Sequence, residues 1–313
     1  MEHFVTLFDS GFLPQGLSLY ASLENQGEPF TLWVICMDLE AEIILLKLSL
    51  PNLIPIALRS VETLFPALLE VKPTRSRAEY CWTLTPFSYA AVLKEDPSAT
   101  RITYVDADVA FFGPASELLN EMDAQDCDVL LTDHAYAPEY QQESTSGRYC
   151  VQFLPFRTTP GGLEVLTWWQ DRCIEWCYAR FEDGKFGDQK YLDDWTVRWG
   201  NRAKVLKDVH LTLAPWNAAH LFRHGQKLGI YHFHNLRIYA QRKVRFWHWY
   251  FIPATVKKTF YVPYKSYLER SLLQLREVSF TPSPPVFTET LIDSLKTLKR
   301  RFKRIDGWGR LAN

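Results

Sequence analysis

The sequence predicts an α/β fold, with a mostly parallel central sheet flanked by helices and a helical, basic C-terminal extension. Three observations predict it. Short apolar, β-branched runs alternate with segments of helical periodicity in the order β-α-β-α-β-α-β, the order of a doubly wound sheet. Hydrophobic residues make up 47% of the 313-residue chain, enough for the core such a sheet needs. The run Ile102-Thr103-Tyr104-Val105 reads as a buried strand and ends in Asp106-Ala107-Asp108, which puts two carboxylates where open α/β sheets meet their ligands.

Residues 3–8 form the first strand, and Asp9-Ser10-Gly11 supplies turn chemistry. Leu13, Leu17, Tyr20 and Ala21 then recur at helical spacing, with Leu23 completing the segment. Residues 30–37 are the second strand, 39–50 an amphipathic helix, 54–58 the third strand, and 75–93 a helix around Pro86. Residues 102–105 are the fourth strand. A further strand at 128–132 leads into a polar loop, 134–148, and 151–156 is again strand-like. Gly161-Gly162 opens a helix to about residue 180, with Leu166, Trp169, Cys173 and Cys177 on one face. Phe186-Gly187-Asp188-Gln189 interrupts it before a second helix at 190–199. Residues 205–213 are extended, Trp216-Asn217 falls in a loop, and 229–234 is a last short strand. Beyond about 245 the composition changes: aromatic and basic residues mix, a Pro/Ser linker lies near 280, and 291–304 is strongly basic with leucines at helical intervals. The expected division is a main α/β domain over 1–245 and an extension over 246–313.

A formal charge of -1 gives no global drive toward nucleic acid, so any basic surface is local. The six cysteines have no disulfide-framework spacing, and buried free thiols are expected. The chain opens almost directly on a strand, without a basic n-region or cleavage site, and has no apolar run of spanning length. A cytoplasmic protein is expected, associated with the inner membrane face if residues 291–304 lie on anionic lipid, with Leu291, Leu295, Leu298 and Phe302 inserted. The other reading of that segment is a solvated helix face.

Burying an unpaired carboxylate is costly, so Asp106 and Asp108 together call for a hard divalent cation carrying a phosphate-bearing substrate. An Asp-x-Asp by itself also occurs in caps and turns.

Four motifs, in order, carry a resemblance. They are Thr6-Leu7-Phe8-Asp9-Ser10-Gly11-Phe12-Leu13, Tyr104-Val105-Asp106-Ala107-Asp108, Gly187-Asp188-Gln189-Lys190-Tyr191-Leu192 and Tyr231-His232-Phe233-His234. Over about residues 3–240 the sequence resembles the GT-A fold glycosyltransferases that use nucleotide-diphosphate sugars, especially the family-eight-like bacterial group. It departs from them at Asn235 and Arg237-Ile238, where that group has a small residue and Lys-Pro-Trp. It departs again at Cys150-Val151-Gln152-Phe153, where the group has Asn-x-Gly.

The resemblance implies a Mn²⁺ or Mg²⁺ ion held by Asp106, Asp108 and His232; imidazole ligation favours Mn²⁺. His234, alternating with His232 on a strand, would face the opposite side. Thr6, Asp9, Phe12, Arg77, Asp106 and Arg237 would bind the nucleotide-diphosphate donor, with Asp9 and Phe12 near a uracil-type base. Asp188 and Gln189 would act at the reacting sugar. The bland readings are that Asp9 caps the helix after it, Arg77 pairs with Glu79 or another surface acid, and Asp188 caps the 190–199 helix. Trp216-Asn217 would shape the acceptor side or simply pack. The implied activity is retaining transfer of a sugar, from a UDP-sugar by the uracil likeness, to a glycan or lipid-linked acceptor in polysaccharide biosynthesis. The alternatives are a sugar-1-phosphate nucleotidyltransferase and a catalytically silent scaffold or glycan-binding protein.

Overall fold

The structure, a computed structural model, describes residues 1–282 and 305–312. Strands β1 (Glu2–Phe8), β2 (Phe30–Cys36), β3 (Leu53–Ala57) and β4 (Arg101–Val105) lie parallel in the order β3-β2-β1-β4. Both faces of β1 and β2 are covered, so the strands read as continuous apolar runs. Successive side chains serve different cores. Phe4, Phe8, Leu32 and Val34 pack with helices α1 (Leu13–Glu24) and α2 (Leu39–Leu48). Val5, Leu7, Trp33 and Ile35 pack with α3 (Arg77–Glu95) on the other face. The helix starts follow from sequence: Asp38 accepts from Ala41 N at 2.8 Å, and Ser76 with Glu79 forms a capping box.

Past β4 the parallel pattern stops. β5 (Val109–Phe111) follows at once and leaves the sheet. After α4 (Ser116–Gln125), the strands β6 (Val129–Asp133), β7 (Tyr149–Cys150), β8 (Phe153–Arg157) and β9 (Ala203–Val205) extend the central sheet to eight strands. β8 runs antiparallel to both β4 and β6, while β9 is parallel to β6. The sheet is mostly parallel, with its change of direction beside β4. Val105 therefore pairs with Phe153, and the start of β8 comes to the carboxyl end of β4.

Helix α5 (Pro160–Glu175) covers the second face. A second, three-stranded sheet is formed by β5, β10 (Thr212–Leu213) and β11 (Ile230–His232), with β11 antiparallel to β5. A third is formed by β12 (Arg237–Ile238), β13 (Lys243–His248) and β14 (Asp306–Arg310). Helix α6 (Val262–Glu277) returns to α1, where the Ser18 and Ser271 hydroxyls meet at 3.3 Å and Leu275 joins the first core.

Several expectations are corrected. β5 is too short for periodicity to register, α4 was not anticipated, and α6 falls within the extension expected to be helical but had been given no range there. α5 ends at Glu175, not near 180, because Trp176 turns extended. Residues expected as a helix at 190–199 form a 3₁₀ segment, Gln189–Asp194, and a short helix, Trp195–Arg198. A 3₁₀ turn, Val209–Leu211, breaks the extended stretch at 205–213. Cys173 and Cys177 are free and buried, like Cys36, Cys127 and Cys150. The basic segment 291–304 lies outside the described residues. Among the described residues, no helix is long and apolar enough to cross a membrane.

Candidate active site

The carboxyl end of β4 opens onto a cavity of about 710 Å³. The turn after β4 is closed by Val109 N donating to Asp106 O at 3.0 Å, which sends the chain into β5 and leaves both carboxylates at the cavity floor. Asp108 O accepts from Phe233 N at 2.8 Å, so the same turn anchors the end of β11. That brings His232 Nε2 to 3.1 Å from Asp108 Oδ1 and 3.8 Å from Asp106 Oδ2. One ligand atom from each of Asp106, Asp108 and His232 lies within 4.8 Å of the other two.

The electrostatics are those of buried charges crowded together. Burial, with Asp108 adding repulsion, pushes the Asp106 carboxyl up to about 7 against the pull of His232. Burial acts on Asp108 too, but His232 outweighs it and holds the carboxyl at about 2. Burial would lower His232; Asp108 overrides this and raises the imidazole well above its ordinary value. Asp188, across the cavity, is 3% exposed, and its Oδ2 is buried without a hydrogen-bond partner. Burial first, and the Asp106 charge second, push its carboxyl up to about 7. Two carboxylates and an imidazole with ligand atoms within 4.8 Å of one another fit a divalent ion such as Mn²⁺.

Of the residues singled out in the sequence, Asp9, Phe12, Arg77, Asp106, Asp108, Asp188, Gln189, His232 and Arg237 all line this one cavity. Thr6 does not. It is fully buried within β1, its hydroxyl is unpartnered, and Leu7, Phe8 and Asp9 make the wall instead. His234 also departs from expectation: it lines the same cavity as His232. The strand ends at His232, and Asn235 turns the chain at φ +64°, so strict alternation no longer applies. Burial, then His232, push the His234 imidazole down to about 3, and Tyr250 OH lies 3.2 Å from its Nδ1.

The local alternatives separate cleanly. Asp9 makes no capping hydrogen bond; its Oδ2 pairs with Arg77 Nη2 at 2.8 Å. Arg77 pairs with Asp38 at 3.1 Å as well, and not with Glu79, which is held by the capping box and by Ala179 N. Asp188 makes no capping bond either; its backbone carbonyl accepts from Trp169 Nε1 at 2.9 Å. Gly187 is required here, at φ +55° with the Trp82 ring 3.3 Å from where a Cβ would stand. Gln189 Nε2 donates to Ser146 O, and Arg237 sits 5.8 Å above the Phe12 ring.

Sequence reasoning singled out Trp216 but missed the residues that join it in the cavity lining, where His134 and Tyr136 stack at 4.6 Å and Tyr250 also stands. Trp216 both packs and lines the cavity, its Nε1 donating to His134 O at 2.8 Å, while Asn217 Nδ2 donates to the same oxygen at 3.0 Å. Cys150 also lines it; burial would raise that thiol, but His134 and His232 bring it down to about 6. Gln152 was noted only as a departure, yet its Oε1 lies 2.9 Å from His232 Nδ1. No periodicity marks these residues, because they come together only where β4 meets β8 and β5 meets β11.

Fold and site thus define an α/β protein with a carboxylate–imidazole cluster in a cavity at the carboxyl end of its parallel strands. The chain belongs to the family of the uncharacterized protein YfnF of Bacillus subtilis (strain 168), to which it is 31% identical over 261 residues, 77% of this chain and 84% of that one. A second uncharacterized protein of the same organism, YfnD, is 26% identical over 282 residues, 86% of this chain and 89% of its own length. No family model matches. Among solved structures, mouse xyloside xylosyltransferase 1 in its apo form is similar at TM-score 0.49 and 14% identity, over 74% of this chain and 97% of that one. The galactosyltransferase LgtC, in complex with donor and acceptor sugar analogs, is similar at TM-score 0.48 and 14% identity, over 74% and 86%.

Proposed function

We propose that the protein is a metal-dependent glycosyltransferase of GT-A fold, of the family-eight-like bacterial group, moving a sugar from a UDP-type nucleotide-diphosphate donor to a glycan or lipid-linked acceptor. The observation that carries this reading is the convergence of Asp106, Asp108 and His232 within 4.8 Å in a cavity that is also lined by Asp188, whose Oδ2 is buried without a hydrogen-bond partner.

Asp106, Asp108 and His232 would hold the ion, Mn²⁺ in preference to Mg²⁺ because of the imidazole. When bound, it supplies Lewis-acid neutralisation of the departing diphosphate. Arg237, beside Phe12, adds a fixed positive charge on the same side. Asp9 and Phe12 bound the end that takes the base, with Asp9 oriented by Arg77. Asp188 accepts hydrogen bonds from donor-sugar hydroxyls and, ionised, stabilises the positive charge that develops on the sugar. Gln189, tied to the Ser146 carbonyl, keeps its amide oxygen for the same sugar. The aromatic wall of Tyr136, Trp216 and Tyr250 suits the apolar face of an acceptor sugar. Among the described lining residues the carboxylates are Asp9, Asp106, Asp108 and Asp188. Retention of configuration rests on the likeness to the family-eight group. A lipid-linked acceptor in polysaccharide assembly would suit peripheral membrane contact through 291–304.

The test is product release from a panel of nucleotide sugars with and without Mn²⁺. A transferase of this kind slowly releases nucleoside diphosphate, and only with the metal. Release of pyrophosphate from sugar 1-phosphate and nucleoside triphosphate would instead establish a nucleotidyltransferase, and neither product would leave a binding scaffold.

A further inference from the structure

We infer that Gln152 is a positioning residue: it sets which ring nitrogen of His232 faces Asp106 and Asp108, and thereby the divalent-metal affinity of the cluster. The inference rests on the metal-binding reading above. Gln152 is 0% exposed, in the tight connection between β7 and β8. Its backbone carbonyl accepts from Asp106 N at 3.2 Å, so it is tied to the turn that carries the carboxylates.

Its side-chain Oε1 lies 2.9 Å from His232 Nδ1. An amide oxygen can only accept, so Nδ1 carries the proton. Nε2 is then the nitrogen that faces Asp108 Oδ1, 3.1 Å away, and Asp106 Oδ2; once a metal displaces its proton, the ring is in the form in which histidine binds a metal, with Nδ1–H held from behind. The Trp216 ring stands 5.4 Å from His232 at 85°, and at most its π face could accept, far more weakly than an amide oxygen. The Cys150 thiol also reaches the ring, but sulfur accepts more weakly than an amide oxygen.

The other half of the amide sharpens the argument. Gln152 Nε2 is buried and has no hydrogen-bond partner. A leucine of similar volume would leave no orphaned donor, so packing alone does not account for glutamine here. What glutamine supplies and leucine does not is the amide oxygen 2.9 Å from Nδ1. Partners of this kind, standing behind a metal-binding histidine, typically change metal affinity about 10- to 100-fold when removed.

Mn²⁺ titrations followed by the EPR signal of the free ion, on the intact protein, compare wild type with Gln152→Leu, Gln152→Glu and His232→Ala. Gln152→Leu is expected to unfold no earlier than wild type yet bind Mn²⁺ about 10- to 100-fold more weakly. Gln152→Glu, which keeps the acceptor, is expected to bind as tightly as wild type or tighter. Long-range ¹H–¹⁵N spectra of the Zn²⁺-loaded wild type are expected to show His232 protonated at Nδ1 and bound through Nε2. These spectra and the glutamate variant carry the test if the leucine variant does not fold. Wild-type affinity in Gln152→Leu alongside weakened binding in His232→Ala would overturn the inference and leave the metal site standing, as would a proton on Nε2. Equal Mn²⁺ binding by wild type and His232→Ala would overturn both.

Discussion

Arg77 Nη2 stands 2.8 Å from Asp9 Oδ2, joining the first residue of α3 to the end of β1 at the mouth of the cavity. Arg77 also pairs with Asp38, so the expected surface-acid partner is found, though it is not Glu79. Its side chain is 63% exposed, so the ion pair contributes little to folding, about 0–1 kcal/mol. Arg77→Ala is expected to leave the melting temperature nearly unchanged while raising the donor KM about tenfold or more, because Asp9 loses the partner that orients it. An unchanged KM would remove this pair from donor binding.

Asp108 is the carboxylate closest to His232. Asp108→Asn keeps the shape but halves the negative charge of the pair. Mn²⁺-dependent sugar transfer is expected to fall by about 100-fold or more, and the thermal shift caused by Mn²⁺ to disappear. A wild-type shift would exclude Asp108 as a ligand.

Asp188 carries a stability cost for its place in the site. Its folded-state value is raised from the ordinary 3.8 to about 7. The native state therefore binds its proton more readily than the unfolded chain, and the stability this lends declines as pH rises from about 4 to about 7. Asp106 acts in the same direction. Asp108 acts oppositely, contributing above pH 4 and losing its contribution as pH falls toward 2. Asp188→Asn is expected to resist urea better than wild type at pH 8 but not at pH 4.5, to keep its Mn²⁺ response, and to lose about 100-fold in transfer. Equal urea midpoints at both pH values would mean that Asp188 is not a buried charge.

Metal affinity is expected to depend on pH for the same reason. Mn²⁺ must displace the protons held by Asp106 and His232, both of which are raised in the metal-free protein. Affinity should climb with pH, about tenfold per unit between 5.5 and 7 if one proton is released. Calorimetric titrations in two buffers of different ionisation enthalpy would count the protons; zero would contradict the assignment.

Gly187→Ala places a Cβ at φ +55° against the Trp82 ring. The expected loss is about 1–2 kcal/mol of stability from the left-handed backbone, with a larger fall in kcat than stability explains, since Asp188 is the next residue. Urea unfolding and steady-state rates on one preparation separate the two.

The first half of the fold was readable in the chain because its signals are local. Buried runs such as those at Phe30–Cys36 and Arg101–Val105 mark parallel strands covered on both faces. Asp106 and Asp108 were readable because one short turn carries both. The 190–199 segment misled because helical spacing of apolar residues does not distinguish a 3₁₀ run from an α-helix. Thr6 misled because a motif does not say which wall a strand residue faces.

Order and chemistry along the chain were therefore enough to place a parallel sheet and an acidic pair at its edge. Which side chains complete that edge depended on the antiparallel junctions of β4 with β8 and of β5 with β11. Those junctions carry Gln152 to His232 across 80 positions and turn His234 into the same cavity. Such partners are selected by long-range strand pairing, and no local periodicity encodes it.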